Sequence, residues 1–420
     1  MNGRGLLLLL ISGGLALAAL IARKGELLAL SVPFLSFILV ALTRSPGKLA
    51  LSAARTVGKS DAPVHGVIQV ELALTNQGDT LANVRIHDAL PASGQLIQGR
   101  ATETCWLSVG ATAGLDYSLT VPRGIYSWKS VSAVAADPLG LFETSAEVRA
   151  PGEIIIQPKP LGIGSLRYRP RRTLHSTGPV PVPLAGSGTD FLGIREYRSG
   201  DALRRINWRL TARHPGRLFT NEHERHEVGN FGLILDARQA DAEVFEGAVT
   251  AAASLAESIL KDGNRLSLLV FGRSMAAAFP GYGKRQLSLI LQSLSGANPS
   301  AHVPLDYLQY FPARLFPTQA VLVMISSPVP HDFEMYARLR AAGYEMLLFS
   351  PDSVSFAARR NKGKPDTRLG IRAALIERRA TLLSLSRLGV HIVDWQLHTP
   401  IQAALDALAP HLVHRSTLLS

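Results

Sequence analysis

Between Gly188 and Glu227 the chain sets eight arginines among six carboxylates, in the order GTDFLGIREYRSGDALRRINWRLTARHPGRLFTNEHERHE. Asp190, Glu196 and Asp201 offer general acid–base chemistry, which needs carboxylates held in a pocket with shifted pKa values. Here they alternate with Arg195, Arg204, Arg205 and Arg213. Internal ion pairing is therefore the simpler reading. No residue is assigned to catalysis. A structural or partner-binding role is assigned to Arg195, Glu196, Tyr197, Gly200, Asp201, Arg204, Trp208, Arg213 and Glu222.

The turn Ser199-Gly200-Asp201, followed by Ala-Leu-Arg-Arg-Ile-Asn-Trp, predicts a short helix. Asp201 is expected at its N-cap, where a carboxylate accepts free backbone N–H groups and suits the positive helix end. Arg204 then lies over the same turn, and Trp208, read as a buried aromatic, one turn further on. His223 and His226, amid Glu222, Glu224 and Glu227, have the composition of a metal site. Leu218 to Val228 reads as a strand, on which residues three apart face opposite sides, so no metal is expected there. Gly186-Ser187-Gly188-Thr189 lacks the lysine and the preceding buried strand of a phosphate loop.

The flanking elements must position this stretch. Gly5 to Ala22 is a run without charge that reaches ~27 Å as a helix, close to a bilayer core. Leu27 to Thr43 is a second such run, interrupted by Pro33. A transmembrane helical hairpin over 1–48 is expected, and the second run argues against a cleaved signal peptide. Arg23 and Lys24 occupy its turn, while Arg4, Arg44, Lys48, Arg55 and Lys59 flank its outer ends. The larger basic count stays inside, which puts the soluble parts in the cytoplasm.

Residues 49–158 carry short runs of alternating apolar residues broken by turn clusters such as Asn76-Gln77-Gly78-Asp79. Seven or so such strands predict an immunoglobulin-like β-sandwich. Residues 159–187 read as a basic, proline-rich linker, extended and solvated. Residues 188–230 hold the stretch described above. From Phe231 to the end, 231–420, strand and helix patterns alternate, which predicts a mostly parallel sheet with helices on both faces, a Rossmann-type α/β domain. Asp236 closes the first of these strands, at the edge where ligands commonly bind.

The net charge of +12 favours anionic partners such as lipid head groups or nucleic acid. Nucleic acid is disfavoured, because no aromatic residue interleaves the basic run from Arg359 to Arg379. That run reads as a solvated loop near the membrane. Cys105 is the single cysteine, which excludes an intrachain disulfide and a cysteine-based zinc site.

Gly188, Asp190-Phe191, Arg195-Glu196-Tyr197, Gly200-Asp201, Arg204, Trp208, Ala212-Arg213 and Glu222 together resemble the signature of the family catalogued as domain of unknown function 58. Arg123-Gly124-Ile125-Tyr126 and Asp137-Pro138-Leu139-Gly140-Leu141-Phe142 resemble its second signature, which also reads simply as a tight turn. The resemblance implies a membrane anchor, a von Willebrand factor A-like α/β domain and partnership with a MoxR-type AAA+ ATPase. That fold normally ends its first strand Asp-x-Ser-x-Ser and holds a divalent ion there through oxygen ligands. In this chain Asp236 is followed by Ala237, Arg238, Gln239 and Ala240, so both hydroxyls are gone. Asp236 is thus a degenerate metal-site position, with Arg238 placed to pair with it. No metal and no cofactor are expected. The expected function is a membrane-anchored, non-enzymatic adaptor or scaffold. The alternative is a regulatory protein that binds anionic lipid or nucleic acid through its basic surface.

Overall fold

A computed structural model of the chain describes residues 3–59, 66–166, 180–227, 229–238, 241–272, 275–300, 314–317, 320–360 and 367–406. It divides into two compact units, Met1–Ile156 and Gln157–Ser420.

The first unit opens with α1 (Gly3–Ala22) and α2 (Gly25–Thr43), both long and apolar enough to cross a membrane. They pack through small residues: Gly5, Ser12 and Ala19 are buried on α1, Ser31 and Ala41 on α2. Small side chains let two backbones approach closely, while the outward leucines suit a lipid surround. The Ser12 and Ser31 hydroxyls donate to Leu9 and Leu28 carbonyls of their own helices, so neither is left unbonded.

Eight described strands follow: β1 (Leu51–Lys59), β2 (Gly66–Asn76), β3 (Leu81–His87), β4 (Gln95–Gly99), β5 (Thr102–Leu107), β6 (Thr112–Val121), β7 (Gly124–Ala136) and β8 (Glu143–Ile156). They form two antiparallel sheets, β1-β2-β6-β4 and β5-β3-β7-β8. The period-two pattern of β2 puts Leu72 and Leu74 into one core with Val84, Ile86, Val131 and Ala133 of the other sheet. The Asp137 turn is as expected. Its carboxylate accepts from the Leu139, Leu141 and Phe142 N–H groups at 2.7–2.8 Å, and Gly140 takes a positive φ of 68°.

Arg55 corrects the sequence reading. It is not a free flanking charge but is fully buried, 2.5 Å from the equally buried Asp88. It also donates to the Ala150 carbonyl and lies 5.7 Å from the Trp128 ring centroid. Tyr117 completes the network with a 2.8 Å bond to Asp88. Burial, and then that bond, raise its phenol pKa.

The second unit contains β9 (Val180–Glu196), α3 (Trp208–Thr211), β10 (Phe219–Glu227), β11 (Asn230–Asp236), α4 (Ala242–Lys261), β12 (Arg265–Phe271), β13 (Ala276–Gly281), α5 (Gly283–Ser295), β14 (Val321–Ile325), α6 (Phe333–Ala341), β15 (Glu345–Pro351), α7 (Ser353–Arg360), α8 (Thr367–Arg387), β16 (His391–Trp395) and α9 (Ile401–Asp406). Six strands make one sheet, β13-β12-β11-β14-β15-β16, parallel except at the β13 edge. Every residue of β11 is buried, as a continuous apolar run between two helical layers requires. Leu233 and Leu235 face a core with α4, α5 and α9; Ile234 faces the other, with α6 and α8. Gly232 is needed for packing, since a Cβ there would meet the Phe316 ring at 2.4 Å.

Two sequence expectations fail in this unit. The first part of the linker is docked, not solvated: Ile163 and Leu166 pack on the core. There the Leu161 N–H donates to the Ser254 hydroxyl of α4, and Ser258 donates to the Gly164 carbonyl. Its last part, from Val180, is already strand β9; residues 167–179 lie outside the described residues. The basic run is not a loop throughout either, because Arg368 to Arg379 lie on α8. Arg378 there is half-buried and donates to Asp394 and to the Ser350 hydroxyl.

Candidate functional site

The signature stretch folds as a hairpin. β9 and β10 pair antiparallel, with Arg195 opposite Thr220 and Gly193 opposite Glu222. Residues two apart on a strand share a face, so Glu222 lies diagonally from Arg195 and its carboxylate reaches the guanidinium at 2.5 Å. Between the strands the chain turns at Arg198–Asp201. Gly200 has φ 106°, which a glycine adopts without strain. The turn brings Asp201 back under Arg195, and the two form a fork of paired bonds at 2.7 and 2.8 Å. The Arg198 N–H also donates to Asp201, and the Tyr197 hydroxyl donates to its carbonyl. The Arg195 bond, then the Arg198 bond, lower the Asp201 pKa to about 2.

Asp201 is therefore not the helix cap that the sequence predicts. The 3-10 turn Leu203–Arg205 has no side-chain cap, and α3 is capped by Asn207, whose side chain accepts from the Leu210 N–H at 3.0 Å. Asp and Asn both favour caps, but Asp201 is claimed by an arginine one turn of chain earlier. Trp208 is likewise not buried: it is 65% exposed. The side chain that fastens this segment is Ile206, 6% exposed, whose backbone bridges Thr220. The Arg204 and Arg213 side chains are exposed and make no hydrogen bond or ion pair with a described residue. Glu196 pairs with Arg217 at 3.1 Å in solvent, a contact of little energetic weight. The Asp190, His223 and His226 side chains lie outside the described residues, although the strand expected over 218–228 is present as β10.

The second cluster sits at the carboxyl end of the parallel sheet. Arg238 donates to Asp236 at 2.9 and 2.7 Å, and to Asp332 at 2.9 Å twice. Both carboxylates are almost wholly buried, and the Ser326 hydroxyl donates to Asp236 at 2.6 Å. The expected Asp236–Arg238 pair is thus present. Burial opposes the charge on Arg238, but its bonds to Asp236 and Asp332 outweigh that and raise its pKa. Tyr336 is buried beside the cluster. Desolvation first, then Asp236 and Asp332, raise its phenol pKa. Among the described residues no group of three His, Cys, Asp or Glu is placed to hold a metal.

Sequence reasoning missed Asp332, Tyr336 and a parallel cluster in which Arg378 meets Asp394 and, at 3.7 Å, Asp352. Asp332 lies far along the chain from Asp236, and only the pairing of β11 with β14 brings it near. The Pro330-His331-Asp332 run, just before the helix that starts at Phe333, was an available signal for it. In both clusters carboxylates at the carboxyl end of the sheet are held by arginine. Asp201, with its lowered pKa, is a poor proton acceptor near neutral pH.

Two solved structures are slightly similar to this chain. A FixG-related protein from Vibrio parahaemolyticus is 12% identical, with TM-score 0.16 over 24% of this chain and 94% of that one. The VesB protease of Vibrio cholerae is 14% identical, with TM-score 0.15 over 28% of this chain and 34% of that one. The uncharacterized protein YeaD of Bacillus subtilis (strain 168) is 26% identical over 193 residues. That match covers 46% of this chain and 48% of YeaD, so the chain spans about half the length of the curated relative it matches. Residues 193–353, from the signature hairpin through the Arg238 cluster, match the family described as "Protein of unknown function DUF58".

Proposed function

We propose that this chain is a membrane-anchored adaptor or scaffold rather than an enzyme, working with a MoxR-type AAA+ ATPase in protein assembly or at the cell envelope. The observation that carries the non-enzymatic half is Arg238. Its guanidinium lies at the carboxyl end of β11, where a ligand would bind, and engages both Asp236 and Asp332. Fixed ion pairs of this kind hold the end of the sheet in shape and occupy the two carboxylates with a cation. The ATPase partnership rests on the resemblance of the signature residues. A von Willebrand factor A-like reading of the α/β unit is supported by its sheet order and its two helical layers. An immunoglobulin-like reading of the strands before it is supported by their two antiparallel sheets.

The two apolar helices anchor the chain as a two-span membrane protein, with both termini in the cytoplasm. With Arg55 buried, Arg4, Arg44, Lys48 and Lys59 remain against Arg23 and Lys24, and the larger count stays inside. Affinity purification of the full chain from detergent extracts tests the partnership: an AAA+ ATPase should be retained. Extracts that yield the intact chain without any ATPase, at several salt concentrations and with nucleotide present, would refute it.

A further inference from the structure

The segment after the Asp201 turn has two faces. Inward, Ile206 is buried, the Asn207 side chain bonds Asn221, and the Thr211 hydroxyl accepts from the Phe219 N–H. Outward stand Leu203 at 69% exposure, Trp208 at 65%, and the exposed side chains of Arg204, Arg209, Ala212 and Arg213. The side chains of the arginines at 204, 209 and 213 make no hydrogen bond or ion pair with a described residue. From Ala202 to Asn221 there are five arginines and no acidic residue. The indole is turned to solvent on a segment whose inward contacts fix its direction.

We propose that this outward strip rests on the surface of an anionic bilayer. Tryptophan and arginine together fit the membrane–water boundary: the indole settles at headgroup depth while guanidinium groups pair with lipid phosphates. Each basic residue near an anionic leaflet adds attraction that decays within a Debye length. A protein partner would be expected to bring acids to match the arginines, but the membrane needs no second protein and the chain carries two helices suited to it. The proposal rests on the membrane-anchored reading above and adds the lipid class and the surface that meets it.

The test uses the full chain with Cys105→Ala and Ala212→Cys, labelled with the environment-sensitive fluorophore NBD and reconstituted with phosphatidylcholine vesicles, with and without phosphatidylglycerol. The chain should float with vesicles of both compositions. The label should brighten and shift to the blue only when phosphatidylglycerol is present. High salt should reverse that response, as should Arg204→Ala/Arg209→Ala/Arg213→Ala, and Trp208→Ala should reduce it. A chain that floats while its label ignores phosphatidylglycerol overturns the strip proposal and leaves the anchor standing. A chain that fails to float overturns the anchor, and the strip proposal with it. A label that responds to a short RNA or DNA duplex, but not to phosphatidylglycerol, overturns the lipid assignment in favour of nucleic acid.

Discussion

Trp208 and Ile206, two residues apart, have opposite duties. The indole is exposed and the isoleucine is buried against β10. Trp208→Ala should therefore change stability by no more than about 0.5 kcal/mol, the usual range for a surface site. Ile206→Ala should cost about 2–5 kcal/mol as a core truncation. Denaturant melts of the two variants check this; a Trp208→Ala loss as large as that of Ile206→Ala would restore the buried reading of the sequence. Arg238 is a second residue whose worth lies in what it covers. Removing it strands two buried carboxylates that have no other cation within bonding distance among the described residues. Arg238→Ala should cost about 3–5 kcal/mol. Adding Asp236→Asn and Asp332→Asn should recover part of the loss, because no net charge is then left buried. An Arg238→Ala chain with an unchanged melt would show that the pair contributes nothing.

At the scale of elements, the hairpin carries a clamp, Asp201 and Glu222 on either side of Arg195. The Asp201 pKa is lowered from 3.8 to about 2. A depressed folded-state value means that the clamp's contribution is fully present above the ordinary carboxyl pKa and fades as pH falls toward about 2. The melting-temperature gap between the native chain and Asp201→Asn should thus be constant above about pH 5 and close between pH 4 and pH 2. A gap that is independent of pH across that window would mean the carboxylate charge plays no part. Asp201 also shows what was legible in the sequence and what was not. That it would pair with an arginine could be read from its setting among arginines and after a glycine turn. Its partner could not, because helix capping and ion pairing select the same residue type. The strands β11 and β12 were readable because burial on both faces demands unbroken apolar runs. The edge strand β13, Ala-Ala-Ala-Phe-Pro-Gly, was missed because it has neither alternation nor branched residues. Asp236 with Arg238 is local and was legible; Asp332 reaches them only through the fold.

At the scale of the molecule, the boundary between the two units falls at Ile156–Gln157, so the segment before β9 belongs to the α/β unit. Composition alone suggested a solvated connector, since prolines and arginines dominate it. The apolar Ile163 and Leu166 decide otherwise by packing on the core beside α4. Hydrogen bonds add to this hold: Leu161 to Ser254, Gly164 to Gln402, Ser165 to Asp262, and Ser258 to Gly164. Two partly buried apolar side chains and a few exposed or half-exposed bonds are worth on the order of 2–4 kcal/mol. In a unit of this size each kcal/mol moves the melting temperature by roughly 2–4 °C. A fragment that starts at Gln157 should therefore melt roughly 5–15 °C above one that starts at Val180, with the difference carried largely by Ile163 and Leu166. Ile163→Ser/Leu166→Ser in the longer fragment should reproduce most of the shortfall. Equal melting temperatures for the two fragments would return the segment to the role of a passive tether.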